Sequence, residues 1–313
     1  MRAVVVDPSA AQRLVLTSVP DPQPRRDEAL VSVTAVSLNA GELRRSLMAP
    51  AGWRPGWDFA GTVSEAAADG SSPAAGTRVV GFLEEGAWGE MLAAPGRSLA
   101  VIPDAVSDAV ASTLPVAGMT ALYALEEAGS LLGKKVLVTG ASGGVGHFAV
   151  RLAALAGASV TAAIRNAIHT DEVREGGAHE VLVTGNLEEA RAYGPFDHIV
   201  DCLGGPALAS AIKLLVPGGA VVTYGVDSGE PTVLEPAAMY AGRSGVRIIG
   251  LMLLTHLRRV PPSEGLTRLL RLVADGRLAP RISRETVWTD IADVAAAFRR
   301  RELSGKAVLH ITG

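Results

Sequence analysis

The stretch KVLVTGASGGVGH, residues 135–147, decides the fold. Val136, Leu137, Val138 and Thr139 form a short apolar strand that stops at Gly140. A turn of small residues follows: Gly140, Ala141, Ser142, Gly143, Gly144, Val145 and Gly146, with a helical pattern starting at His147. Set against G-x-G-x-x-G, the three positions are Ala141, Gly143 and Gly146, so the first glycine is replaced. The physics survives that change. Gly143 and Gly144 let a pyrophosphate approach the backbone, and the amides and dipole at the helix start attract its charge. With a strand before it and a helix after it, this is a dinucleotide-binding turn rather than an ordinary tight turn.

Working outward, further strands are expected at 159–164, 181–183, 197–202, 220–225 and 246–250. Helices are expected at 147–156, capped by Gly157, and at 207–215, ended by Pro217, Gly218 and Gly219. Continuous apolar strands alternating with helices predict a doubly wound parallel sheet with both faces covered. The tip of the second strand selects the cofactor. NAD sites place Asp or Glu there, about 20 residues beyond the turn, on the ribose hydroxyls. This chain has no acid there and reads Ala163, Ile164, Arg165, Asn166. A guanidinium at Arg165 suits a 2′-phosphate, so NADPH is the expected cofactor, with Arg165 and Asn166 at its phosphate end, while His169 is either a second contact or simply an exposed residue at a helix start.

Before residue 116 the texture differs. Short β-type runs at 29–35 (ALVSVTA), 59–64 (FAGTVS) and 77–82 (TRVVGF) are separated by turns such as PDPQP (20–24) and DGSSPAAG (69–76). That pattern predicts a partly open β-barrel. After the parallel sheet come a helix at 263–275, a helix at 291–301 and a terminal strand at 307–311. This β-rich tail is expected to return to the first domain. The predicted division is 1–115 with 277–313 for the barrel domain, and 116–276 for the nucleotide-binding domain.

Composition narrows the function. The 313 residues are 48% hydrophobic and 19% charged, with a net charge of -3, so no field favours nucleic acid or anionic lipid. No run approaches the roughly 20 apolar residues of a membrane span. The single cysteine, Cys202, excludes a disulfide framework, fits a cytoplasmic protein and reads as a small buried hydrophobe. Without a C-x-x-C or a His pair at ligand spacing, no zinc or other metal is expected.

The turn ASGGVG, the preceding TLPVAGMTALYAL (113–125) and VDCLGG (200–205) resemble the zinc-free quinone oxidoreductase branch of the medium-chain dehydrogenases/reductases. So do VSLNAGE (36–42), PGWDFAGTV (55–63), EGAWGEMLAAP (85–95), VPGGAVVTYG (216–225) and SGKAVLHI (304–311). These segments follow the family's order along nearly the whole chain. The resemblance implies a GroES-like catalytic domain made from both chain ends and an inserted Rossmann domain. It also implies that Asn39 lies beside nicotinamide and substrate, and Thr120 at the nicotinamide ribose. Gly140, Ala141, Ser142, Gly143, Gly144, Val145 and Gly146 would take the pyrophosphate. Cys202, Leu203 and Gly204 would lie along the adenosine half, Tyr224, Gly225 and Val226 near the nicotinamide, and Lys306 close to the cofactor. Three departures stand out. Glu42 fills the family's Asp position, the barrel domain has no tyrosine, and Val183-Thr184-Gly185 lacks a basic or tyrosyl phosphate contact.

Without a Lewis acid, a conjugated acceptor suits the site better than an isolated carbonyl, because it spreads the incoming charge itself. The expected acceptor is a small-molecule quinone. The alternatives are an enone or enoyl thioester of a biosynthetic pathway, or a non-catalytic NADPH-binding sensor or scaffold. Asn39 is the expected orienting donor. Glu42 and Asp58 are either polar groups lining the cleft or turn caps and partners of Arg44 and Arg45. Trp53 and Trp57 are either an aromatic wall for a flat substrate or core, and Met252, with Leu253 and Leu254, adds apolar lining. The apolar run 246–254 predicts an edge strand that two copies cover as a homodimer.

Overall fold

A computed structural model describes residues 1–240, 242 and 244–312. The chain divides into two compact units, Thr120–His256 and Met1–Met119 with Leu257–Gly313.

Within Thr120–His256, the described residues form one six-stranded sheet. Its strands are Lys135–Thr139, Ser159–Ile164, Glu180–Val183, Phe196–Asp201, Leu215–Thr223 and Arg247–Gly250. Numbered in chain order they lie 3-2-1-4-5-6, and every neighbouring pair is parallel. This is the Rossmann order. Successive residues point to opposite faces of a sheet, yet Val136, Leu137 and Val138 are all 0% exposed, so both faces are covered. Pro217, Gly218 and Gly219, expected to end a helix, instead lie inside the fifth strand. The register against Phe196–Asp201 shifts between Phe196 and His198 and accommodates them.

The helix Met119–Glu126 runs against the strand direction. His198 Nε2 meets the Ala124 carbonyl at 2.9 Å, and Arg247, at the start of the last strand, donates to the Glu127 carbonyl at 3.2 Å. The other end of the helix, with Thr120, therefore points toward the carboxyl ends of the strands. Burial pushes the His198 pKa down to about 4, so its imidazole is a neutral core tie.

In the other unit the long strand Glu28–Leu38 is the hub. Asp58–Glu65 pairs along one of its edges. On the opposite edge, Met91–Pro95 pairs with its first half and Lys306–His310 with its second. The path continues through Arg78–Phe82 to Leu99–Val101 on one side and to Ile282–Val287 on the other, leaving the seven-stranded sheet of described residues open. The tail thus enters the first domain as a strand. The chain returns earlier than the sequence predicted, at Leu257 rather than 277, so helix Pro262–Ala274 groups with this unit. The reason is packing. Its buried stripe of Leu266, Leu269 and Leu270 lies against the strand Leu99–Val101 and the turn Leu114–Gly118, where a Cβ on Gly118 would meet Leu269 Cδ1 at 2.9 Å.

Among the described residues no helix is long and apolar enough to cross a membrane. The core of the terminal unit gathers Phe59, Trp88 and Trp288, each at most 1% exposed. Trp288 also donates from Nε1 to the Thr312 carbonyl at 3.2 Å and lies 5.4 Å beneath the Arg2 guanidinium. Trp288→Ala therefore leaves a large cavity where both chain ends meet. It should cost about 3–5 kcal/mol, read from denaturant unfolding against the parent protein.

Candidate active site

The nucleotide end is built from strand tips. Gly143 caps the helix Gly144–Leu155 with an extended backbone, and its N–H closes on the Gly140 carbonyl at 2.9 Å. The helix's first amides have no partner within the helix and carry the positive end of its dipole. Gly146 is required by space, because a Cβ there would sit 2.2 Å from the Gly140 oxygen. Gly140 is required by conformation, with φ +58°, and a Cβ there would meet Cys202 Sγ at 2.5 Å. The glycines keep clear the room that a pyrophosphate needs, so this turn fits a pyridine dinucleotide.

Asp201, not singled out from the sequence, organises the neighbouring segment. It is 0% exposed and ends the fourth strand, next to the first strand across the point where the sheet order reverses. Its carboxylate accepts from Thr139 Oγ1 at 2.8 Å, Gly204 N at 2.9 Å, Leu203 N at 3.2 Å and Thr223 Oγ1 at 3.4 Å. Burial raises its pKa, and these donors pull it back. The available signal was an acid ending an apolar strand just before two glycines. Asp201 brings Cys202, Leu203 and Gly204 beside Tyr224, Gly225 and Val226. A Cβ on Gly225 would lie 2.6 Å from the Cys202 carbonyl. Burial pushes the Cys202 thiol up to about 12, which suits packing and not nucleophilic work.

Of the remaining cofactor residues, Thr120 is buried on its helix. Arg165 is exposed at the tip of the second strand, and its guanidinium holds no hydrogen bond or ion pair among the described residues. Asn166 caps the next turn by accepting from Ile168 N at 3.1 Å. His169 Nδ1 lies 3.4 Å from Glu172.

Asn39, Glu42 and Asp58 do come together, and Lys306 joins them. Asn39 precedes the helix Ala40–Met48, and Glu42 in its first turn accepts the Asn39 N–H at 2.7 Å and the Trp57 N–H at 2.9 Å. The Asn39 amide nitrogen donates to Asp58 Oδ2 at 2.8 Å and to Glu42 Oε1 at 3.2 Å. Asp58 also accepts from Ser37 Oγ at 2.7 Å and Val116 N at 3.0 Å. Lys306 Nζ donates to the Leu38 carbonyl at 2.9 Å, to Asp58 Oδ2 at 3.2 Å and to Asn39 Oδ1.

This corrects several expected roles. Glu42 and Asp58 are 0% exposed and line no surface, and the ionic partner of Asp58 is Lys306 rather than Arg44 or Arg45. Lys306 is 1% exposed, and its Nζ donates to three acceptors of its own unit. Asn39 cannot be a free orienting donor, since both amide hydrogens are taken. Trp57 Nε1 donates to the Glu84 carbonyl at 2.8 Å, and Trp53 Nε1 to Glu85 at 2.7 Å beneath Arg45. Met252 belongs to the other unit and is 65% exposed, whereas Leu253 is buried. Among the described residues no group of three or more His, Cys, Asp or Glu is placed to hold a metal ion.

Burial first, and the Asp58 carboxylate second, push the Glu42 carboxyl well above its ordinary 4.5, against the pull of Lys306 and the Asn39 N–H groups. Folding thus tightens the hold on this proton. The stability that goes with it is complete below 4.5 and drains away as pH rises through the raised value. Glu42→Gln has no such proton. The melting-temperature advantage of the parent over this variant should shrink as the pH is raised above 4.5.

Comparison with known proteins gives this geometry a family. Residues 25–104 match the alcohol dehydrogenase GroES-like domain, and residues 144–272 match the zinc-binding dehydrogenase family. A chloroplast envelope quinone oxidoreductase homolog of Arabidopsis thaliana is 31% identical over 93% of this chain and 92% of its own. An acryloyl-coenzyme A reductase of Sulfurisphaera tokodaii is 25% identical over 99% of both chains. The solved quinone oxidoreductase of Coxiella burnetii superposes with a TM-score of 0.84 at 25% identity, covering 100% of this chain and 99% of that one. The chain belongs to the medium-chain dehydrogenase/reductase family, as an oxidoreductase of quinone oxidoreductase type with that family's pyridine nucleotide-binding fold.

Proposed function

We propose that this protein is an NADPH-dependent, zinc-independent reductase that passes a hydride to a small conjugated acceptor, with a quinone as first choice. The observation that carries the choice of acceptor is the state of the donors around Asn39. Lys306, Asn39, Trp53 and Trp57 all spend their side-chain N–H groups on protein acceptors. An isolated ketone needs a donor or a Lewis acid for its developing oxyanion. A quinone delocalises that charge and takes its protons from water. The four tyrosines, Tyr123, Tyr193, Tyr224 and Tyr240, all belong to the Thr120–His256 unit, so none serves the terminal unit as a proton donor from its own fold.

When bound, the dihydronicotinamide supplies the hydride. The chain's part is to hold the pyrophosphate on the Gly143–Gly146 amides and the 2′-phosphate on Arg165, and to keep the Asn39 network rigid. Likeness to an acryloyl-coenzyme A reductase along 99% of both chains favours a second reading, reduction of an enoyl thioester. Two copies are proposed to pair through Arg247–Gly250, the edge strand of its sheet, where Ile248 is 37% exposed. A cytoplasmic site of action agrees with the single free cysteine.

NADPH and NADH oxidation against a quinone, an enone and an enoyl thioester tests this directly. Arg165→Ala removes a charge-assisted contact of about 1.5–3 kcal/mol, so KM for NADPH should rise about 10- to 100-fold while NADH kinetics stay level. Equal use of both cofactors by parent and variant would sink the Arg165 assignment, and preference for the thioester would select the second reading. Light scattering should give a dimer mass, and a monomer would reject the edge pairing.

A further inference from the structure

Two members of the buried network keep some surface. Asn39 and Trp57 are each 8% exposed, whereas Ser37, Glu42, Asp58 and Lys306 are at 1% or less. The surface that these two residues keep is what a molecule from outside can touch of this network.

That indole is fixed at both ends. Its backbone N–H is held by Glu42 at 2.9 Å, and its ring N–H by the Glu84 carbonyl at 2.8 Å. Between those anchors the six-membered ring lies on the first turn of the helix Ala40–Met48. A Cβ on Gly41 would stand 2.7 Å from Trp57 Cη2 and 2.9 Å from Cζ3, closer than real contacts allow. Gly41 lies within that helix and does not take a left-handed φ, so the backbone itself does not need glycine there. Alanine is the better helix former, and glycine at this place weakens the turn. The missing side chain is explained by the ring that occupies its space.

We propose that Gly41 and Trp57 form a specificity-determining pair, in which the bare Cα of Gly41 seats the indole flat and the ring edge sets how large a planar acceptor is admitted. This rests on the reading of Trp57 as the acceptor's wall. Trp53 cannot substitute, because Arg45 already stacks 4.9 Å from its ring centroid.

The experiment compares the parent, Gly41→Ala, Trp57→Phe and the double variant. Phe lacks Cη2 and Cζ3, the atoms that the methyl group introduced by Gly41→Ala would strike. A one-ring and a two-ring quinone are titrated against each protein, following tryptophan quenching for affinity and NADPH oxidation for turnover. Gly41→Ala should shift the affinity ratio of the two quinones about tenfold. The same change in the Trp57→Phe background should move it less than about twofold, with NADPH affinity level throughout. If Gly41→Ala does not fold, Trp57→Phe alone must still shift the ratio. An unchanged ratio, or an equal shift in both backgrounds, overturns the pair. Quenching that follows these rules without turnover by any protein would leave the pair standing and reject the reductase. Brisk turnover with a ratio indifferent to both positions would do the reverse.

Discussion

In the terminal unit one ammonium, Lys306 Nζ, is paired with one carboxylate, Asp58, in a place that water does not reach. Burial holds the neighbouring Glu42 toward its protonated form. Burying charge is tolerable only when every lone pair and N–H finds a partner, and deleting one partner of such a pair costs about 3–5 kcal/mol. Here the partners come from three separate stretches of chain. Lys306 opens the last strand, Asn39 follows the hub strand, and Asp58 opens its neighbour. The ammonium can be satisfied only if the last strand docks beside Leu38, which is where the ladder places it. The discontinuous domain and the polar network are therefore one constraint. The tail must come home because the charge has no other partner.

The Thr120–His256 unit solves a similar problem by different means. Asp201 is as buried as Asp58, yet its partners are two backbone amides and two hydroxyls. Neutral donors stabilise a carboxylate less strongly each, but they fix the directions of the segments that supply them. The strand tips at Thr139, Asp201 and Thr223 are tied at one carboxylate, and the glycine turn is held against Cys202 beside it. A nucleotide site needs preset backbone geometry more than it needs charge, and that is what Asp201 provides.

The contrast explains what was legible in the sequence. All six parallel strands could be located because each carries a short apolar β-type run with a turn behind it. The glycine turn was legible because Gly140 and Gly146 answer to local geometry. Asn39, Glu42 and Asp58 were each legible as candidates, and the turn-cap alternative for Glu42 is the one that the helix start shows. The partner of Asp58 was not legible, because Lys306 lies 248 residues away and no local pattern signals that pairing. Helix Pro262–Ala274 was found but assigned to the other domain. Periodicity tells which face of a helix is buried, not against what. Gly41 carried no local signal at all, since the ring that explains it arrives from Trp57.

The two groups of candidate residues, one in each unit, differ in what they leave unsatisfied. At the nucleotide end, the amides starting the helix Gly144–Leu155 lack partners within it, and Arg165 holds none among the described residues. Around Asn39, the side-chain N–H groups of Lys306, Asn39, Trp53 and Trp57 are all used. Unspent donors confer affinity for a charged ligand, whereas spent ones contribute only shape and apolar contact. On the proposed reading, this chain directs its specific recognition to the nucleotide and meets the acceptor chiefly with shape and apolar contact, the Trp57 indole among them. A site of that kind selects by flatness and size rather than by functional group. The acceptors it favours are then those whose own conjugation carries the charge that the protein leaves without a donor.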